Sequence, residues 1–271
     1  MPSFVNIAFY KFVPLEKLEE MQASLRSFCV SKGIKGTILL APEGMNGSLA
    51  GEKEAILAFQ KFLTSNPRFS DLTFKESLSD FQPFDKMFIK LKKEIVTMRA
   101  ENWTRDASPA PQLPPAELDR WYAEKKDFLL IDTRNDYEYK IGTFEKAYDI
   151  GIENFRDFPA KVAALPEEWK NKPIVTFCTG GIRCEKAAPY MISQGFKNIY
   201  QLEGGILNYF KERGQSHWQG ECFVFDNRIA VNAKLEATGA TLCETCEAPI
   251  RLDQENCPLC STPKALKTAC R

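Results

Sequence analysis

The stretch from Pro173 to Ile206 constrains the chain most. An apolar run, Ile174 to Phe177, reads as a buried strand and ends in Cys178. Gly180 and Gly181 follow, then Arg183, Cys184 and an amphipathic helical segment. Strand, cysteine, glycine-rich loop and helix in that order place a thiol within a ring of backbone N–H groups at a helix N-terminus. Such a ring favours the thiolate, and Arg183 adds a fixed positive charge beside it. Cys178 and Arg183 are therefore the candidate catalytic residues. Thr179, Gly180, Gly181 and Ile182 are the candidate anion-binding loop. The competing reading is a structural cysteine closing an ordinary strand, and it leaves the two glycines and the arginine without a purpose.

The neighbouring elements set the frame. Residues 128–134, FLLIDTR, read as a second buried strand, and residues 198–202 as a third. Helices are expected near 115–125, 155–165 and 185–194, the last stopped by Gly195 and kinked by Pro189. Gly204 and Gly205 open a final helix. Strands alternating with helices predict an α/β domain with a parallel sheet. Its ligand site is expected at the carboxyl ends of the strands, where Cys178 falls. This domain is assigned to residues 116–214.

Residues 1–100 carry a different pattern. Strands are expected at 3–11, 34–40, 47–51, 72–77 and 87–91, and helices at 15–30 and 52–64, with Gly44, Asn46 and Gly47 marking a turn. The order β-α-β-β-α-β predicts a ferredoxin-like α+β sandwich. No catalytic constellation appears in it. Lys86, Lys90, Lys92, Lys93 and Arg99 crowd its end. They form either a solvated strand face or a phosphate-contacting patch. Residues 101–115, proline-rich from 107 onward, read as an extended linker.

The remaining segment, 215–271, contains Cys243-x-x-Cys246 and Cys257-x-x-Cys260 with ten residues between the pairs. Two such knuckles supply four thiolates in tetrahedral geometry and predict a structural zinc site. The segment has too few apolar residues for a core of its own, so a metal staple makes physical sense. The only histidine, His217, lies beside Trp218. It either pairs with Cys178 or packs.

With 36 basic and 36 acidic residues, composition does not advertise nucleic-acid binding, which would need a local patch. No apolar run approaches the ~18 residues of a membrane span, and no secretory signal is read at the N-terminus. A cytoplasmic protein is expected. Its nine cysteines suit chemistry and metal better than a disulfide framework.

The motifs carry a resemblance. LLIDTR with Asp132 and Arg134, the loop CTGGIR at 178–183, and GFKNIYQLEGGI at 195–206 resemble a rhodanese domain. There the loop cysteine carries a sulfur species, and the loop amides and arginine hold the anion. Arg183 is the fifth residue after Cys178, a shorter ring than that of the related arginine-dependent phosphatases. Residues 141–147, IGTFEKA, lack the histidine common in rhodaneses. The whole chain is more specifically similar to the bacterial rhodanese-like tRNA uridine hydroxylases. It shares an acylphosphatase-like N-terminal domain, the loop written CTGGIRCEK, the stretch HWQGECFVFDNR at 217–228 and a four-cysteine tail.

The resemblance implies oxygen-dependent conversion of the wobble uridine of tRNA to 5-hydroxyuridine, with Cys178 as the active-site residue and Cys184 as a further site residue. No flavin or nicotinamide fingerprint is present, and histidine is too scarce for an iron site. Cys178 as thiolate would then add to a uridine carbon or pass through an oxidised sulfur species. Cys184 would resolve it, or merely start the helix. Lys86, Lys90, Lys92, Lys93, Arg99 and Lys186 would hold tRNA phosphates. Trp218 or Phe223 would stack a base, or fill a core. Two other classes stay open: a sulfurtransferase with a Cys178 persulfide, and a non-catalytic binding module. Oligomeric state is not legible.

Overall fold

Alternation of apolar residues along the first strands sets the inner face of a five-stranded sheet. The computed structural model describes residues 4–100 and 110–264. The chain divides into two compact units, with the break near residue 103.

In the first unit the elements run β1 (Phe4–Phe12), α1 (Leu18–Ser31), β2 (Lys35–Ala41), β3 (Gly44–Gly51), α2 (Lys53–Thr64), β4 (Lys75–Ser79) and β5 (Met87–Leu91). The sheet order is β4-β1-β3-β2-β5. The first four strands pair antiparallel, as the ferredoxin-like pattern predicts, and β5 adds to β2 in parallel. Ile7, Phe9, Ile38, Leu40 and Leu49 from the sheet meet Leu25, Ile56, Phe59 and Leu63 from the helices in one core.

The β2–β3 turn differs from expectation. Gly44 and Gly47 are strand residues, and the two-residue connection is Pro42–Glu43. Gly44 is required because β1 passes so close: a Cβ there would sit 2.0 Å from the Lys11 carbonyl oxygen.

The second unit contains β6 (Gln112–Leu113), α3 (Pro115–Ala123), β7 (Leu129–Asp132), α4 (Asp136–Ile141), β8 (Gly142–Phe144), β9 (Ala147–Asp149), α5 (Phe158–Ala163), β10 (Pro173–Phe177), α6 (Cys184–Ser193), β11 (Asn198–Leu202) and α7 (Gly205–Arg213). Strand order is β6-β11-β10-β7-β9, with every pair parallel. The helix expected at 155–165 is shorter. A 3-10 turn covers Phe155–Asp157, and α5 starts at Phe158 because Pro159 fits only a first helical turn. Helix α6 runs unbroken through Pro189. Of the expected linker, residues 101–109 lie outside the described residues, while Gln112 and Leu113 pair with β11 as an edge strand.

The chain after α7 forms β12 (Trp218–Gly220), β13 (Cys222–Phe223), β14 (Ala230–Val231), β15 (Thr241–Leu242) and β16 (Pro249–Ile250). β12 pairs with β8, and Trp218, Cys222, Val224 and Val231 share the core of the parallel sheet with Val175, Phe177 and Tyr209. Among the described residues, no helix is long and apolar enough to cross a membrane.

Candidate active site and metal centre

The parallel pairing of β10 with β7 ends both strands at the same level, which brings Cys178 beside Asp132, Thr133 and Arg134. Thr133 donates from its backbone N–H and its hydroxyl to the Phe177 carbonyl, closing the strand end. The loop then turns back through Gly181, and α6 begins at Cys184.

Helix α7 buttresses the loop from outside. The Ile206 and Leu207 N–H groups donate to the Cys178 and Thr179 carbonyls at 3.0 and 3.1 Å. Gly205 makes this approach possible. It has a φ of +69°, and a Cβ there would lie 2.5 Å from the Cys178 carbonyl oxygen. With those carbonyls engaged outward, the amides of the far side of the loop turn toward the sulfur. The Gly181 N–H donates to Cys178 Sγ at 3.1 Å.

Cys178 is fully buried. Burial opposes its ionisation. The hydrogen bond from the Cys184 thiol, the Arg183 charge and the Arg183 and Gly181 N–H groups outweigh it and bring the thiol down from 9.0 to about 5. Cys184 responds in the opposite sense. Burial and its bond to the Cys178 sulfur push it well above its ordinary value, so it remains a thiol. Its sulfur also lies 3.8 Å from the Thr133 hydroxyl. The two cysteines thus form an anion and its proton-bearing partner.

Arg183 is held by a residue the sequence did not single out. Glu138 of α4 accepts both of its terminal nitrogens, Nη1 at 2.6 Å and Nη2 at 2.8 Å. Burial pushes the carboxyl up, but the charge and hydrogen bonds of Arg183, with Arg134 beyond, hold it below its usual value. The Thr179 hydroxyl donates to the same carboxylate at 3.4 Å. A negative Glu138, a positive Arg183 and a negative Cys178 therefore alternate through the site. Arg183 alone would carry an uncompensated buried charge, so Glu138 is what lets it sit there.

Beneath them Asp132 and Arg134 form a second buried pair. Nε donates to both carboxylate oxygens, at 2.9 and 3.1 Å, and Nη2 donates to Oδ2 at 2.6 Å. Nη2 also reaches the Gly142 carbonyl. The pair fixes the end of β7.

The sequence-derived candidates divide. Cys178, Thr179, Gly180, Gly181, Ile182, Arg183 and Cys184 form one continuous loop and helix start around a single sulfur. Lys86, Lys90, Lys92, Lys93 and Arg99 are all exposed, along β5 and the segment that follows it. Lys90 Nζ lies 5.4 Å from the centre of the exposed Phe88 ring.

Lys186 corrects an expectation. It is only 3% exposed, because α6 is covered nearly all round, and it does not present its charge to a tRNA backbone. Trp218 is also buried, with Phe144 and Phe210 edge-on against it, so it fills the core. His217 stacks on Tyr122 at 4.1 Å and faces Glu145, a packing role. Phe223 lies edge-on to Tyr137 and Phe225.

The four tail cysteines do converge. The Sγ atoms of Cys243, Cys246, Cys257 and Cys260 all lie within 4.8 Å of one another, with Cys243–Cys260 at 3.6 Å and Cys246–Cys257 at 3.5 Å. A tetrahedron with ~2.3 Å metal–sulfur bonds has edges of about 3.8 Å. The set fits one metal ion, held by four thiolates. Cys243 and Cys257 pack with Ala248 and Ile250, and Tyr137 of α4 lies against this cluster.

Residues 4–95 match the family described as UPF0176 acylphosphatase like domain, and residues 114–212 match the rhodanese-like domain. A protein of Cupriavidus taiwanensis named tRNA uridine(34) hydroxylase is 48% identical over 94% of this chain and 92% of its own length. The chain belongs to the tRNA uridine(34) hydroxylase family. A member from Ralstonia nicotianae is 45% identical over 96% of this chain and 98% of its own. One from Burkholderia mallei is 44% identical over 94% and 88%. Family membership spans both compact units and the tail, not the thiol loop alone.

Proposed function

We propose that this enzyme hydroxylates the wobble uridine of tRNA to 5-hydroxyuridine in the cytoplasm, with Cys178 as the reacting group and molecular oxygen as co-substrate. The observation that carries the assignment of Cys178 is its sulfur, held as a thiolate at neutral pH between Arg183 and loop amides. The names borne by the relatives supply the substrate.

The chemistry follows from the uracil ring. Its C5–C6 bond is conjugated to a carbonyl, so a thiolate adds at C6 and places electron density at C5, the carbon to be hydroxylated. Arg183 and the loop N–H groups stabilise the sulfur anion before addition and after its expulsion. Cys184, which keeps its proton, donates a hydrogen bond to that sulfur and stabilises it as the leaving thiolate. Overall, one oxygen atom enters the C5–H bond and the other leaves as water, with two electrons from an external reductant and two protons, while the Cys178 thiolate is regenerated.

The four-cysteine centre is assigned to zinc. Thiolate ligands in a closed tetrahedral set suit that ion and leave no open position for catalysis. When bound, zinc supplies structure only. The exposed basic residues from Lys86 to Arg99 are assigned to the tRNA backbone.

Nucleoside mass spectrometry of tRNA tests the proposal. Cells lacking this chain are complemented with wild type or with Cys178→Ala. Restoration of 5-hydroxyuridine by wild type alone is expected. Full restoration by Cys178→Ala removes the thiolate from the mechanism. Unchanged tRNA throughout, together with sulfur transfer from thiosulfate to cyanide, turns the assignment to a sulfurtransferase.

A further inference from the structure

β13 and β14 form a short hairpin whose tip is closed by a buried ion pair. Asp226 and Arg228 clasp each other across it. Arg228 donates from its backbone N–H, Nε and Nη2 to the Asp226 carboxylate, the side-chain bonds being 2.8 and 2.6 Å. Both side chains are buried. The Val224 and Ile229 N–H groups close the turn with the Ile229 and Asp226 carbonyls. The clasp repeats the Asp132–Arg134 geometry, acid and arginine two residues apart with the same backbone bond.

The hairpin buries Val224 and turns Phe225 outward, 59% exposed. Single apolar side chains on a surface are ordinary, so exposure alone says little. The mounting of this one says more. Its ring lies edge-on to Phe223 at 5.1 Å, and Phe223 lies edge-on to Tyr137 at 5.2 Å. Tyr137 precedes Glu138, the residue that grips Arg183. The Arg183 guanidinium carbon is itself 5.9 Å from the Phe225 ring centre. Phe225 thus stands at the rim of the thiol loop against Phe223 and Arg183, with more than half of its surface exposed among the described residues.

We propose that Phe225 is a stacking platform for a nucleobase of the single-stranded tRNA segment delivered to Cys178, which rests on the hydroxylase function proposed above. The chemistry of the ring selects the occupant. A phenyl face backed by a cation takes a flat, neutral, π-bearing partner, and every base offers such a face whatever its sequence. A platform fixed beforehand by the Asp226–Arg228 clasp has little freedom left to lose on binding. A uridine to be modified must be unstacked from its neighbours, and a rigid aromatic replaces the lost stacking.

The test uses the full chain and a short single-stranded RNA with 2-aminopurine beside a uridine, together with hydroxylation of tRNA. Wild type, Phe225→Trp and Phe225→Leu are compared. Trp keeps the platform, and Leu keeps apolar bulk without a π face. Removing one base–aromatic stack is expected to raise Kd and KM about 5- to 160-fold in Phe225→Leu, with kcat changed far less and with loss of the 2-aminopurine fluorescence change on binding. Phe225→Trp should restore both.

Wild-type affinity and a wild-type fluorescence change in Phe225→Leu overturn the proposal. A Phe225→Leu defect in kcat with a displaced Cys178 alkylation profile also overturns it, since Phe225 would then act through Arg183. If wild type hydroxylates tRNA but Phe225→Leu equals it, only the platform falls. If wild type does not hydroxylate tRNA, the function proposed above falls and the platform with it.

Discussion

Replacing Cys184 with alanine removes one of the supports that keep the Cys178 sulfur anionic. With the Cys178 thiol lowered to about 5, its thiolate dominates at pH 7. A hydrogen bond to a charged group contributes about 1.5–3 kcal/mol, and about 1.36 kcal/mol corresponds to one pH unit. A thiol is a weak donor, so the low end applies, and Cys184→Ala should raise the Cys178 midpoint by about one pH unit. Cys184→Ser, which keeps an O–H, should move it less. The assay is iodoacetamide alkylation across pH 4 to 9, resolved by peptide. Trypsin cuts after Arg183, so Cys178 and Cys184 fall in different peptides.

The linkage to stability has a definite sign. A depressed acid stabilises the fold fully above its unfolded value, near 9.0, and loses that contribution as the pH falls toward about 5. Wild type should therefore lose stability on acidification across that window, and Cys184→Ala should lose less. An unchanged Cys178 midpoint in a folded Cys184→Ala, or a wild-type midpoint above 8, would refute the account of the thiolate.

Other perturbations follow from the same contacts. Glu138→Gln leaves the Arg183 charge buried without its partner; unfolding in urea should show a loss of about 3–5 kcal/mol, and a loss under 1 kcal/mol would remove Glu138 from its supporting role. Metal removal by a strong chelator should lower the melting temperature. Because Tyr137 lies against the cysteine cluster and next to Glu138, it should also disturb Cys178 alkylation; a chelated protein with an unchanged profile would show that the metal centre stands alone. Lys92→Glu with Lys93→Glu should weaken tRNA binding and flatten its dependence on salt, and an unaltered salt slope would make that surface a solvated face.

The parts of the site contiguous in the chain are legible in the sequence itself. Cys178 through Cys184 form one loop, and each tail knuckle carries its own spacing, so a linear pattern contains them. Glu138 and Phe225 come from 40 residues before the thiol and 47 after it. Nothing in DYEYK or FVFD says that they meet Arg183 until β7 and β10 pair and the hairpin folds back. Lys186 shows the converse. Its charge suggests a solvent face, but α6 buries Cys184, Ala187, Ala188, Pro189 and Met191 on several sides, and the lysine is buried with them. In the first unit the glycines of β3 read as a turn because the sequence does not show how closely β1 approaches.

The docking of α7 on the thiol loop has a consequence in time. Ribosomes deliver Cys178 well before Gly205, and the hairpin with Phe225 later still. Until the Ile206 and Leu207 amides take up the loop carbonyls, nothing on that side compels the loop to aim its own N–H groups at sulfur. A chain that ends before Gly205 lacks the amides that engage the loop carbonyls, so its Cys178 thiol loses that support for its acidity. The finished acidity of Cys178 is thus expected only once α7 has docked, after the loop itself has been made.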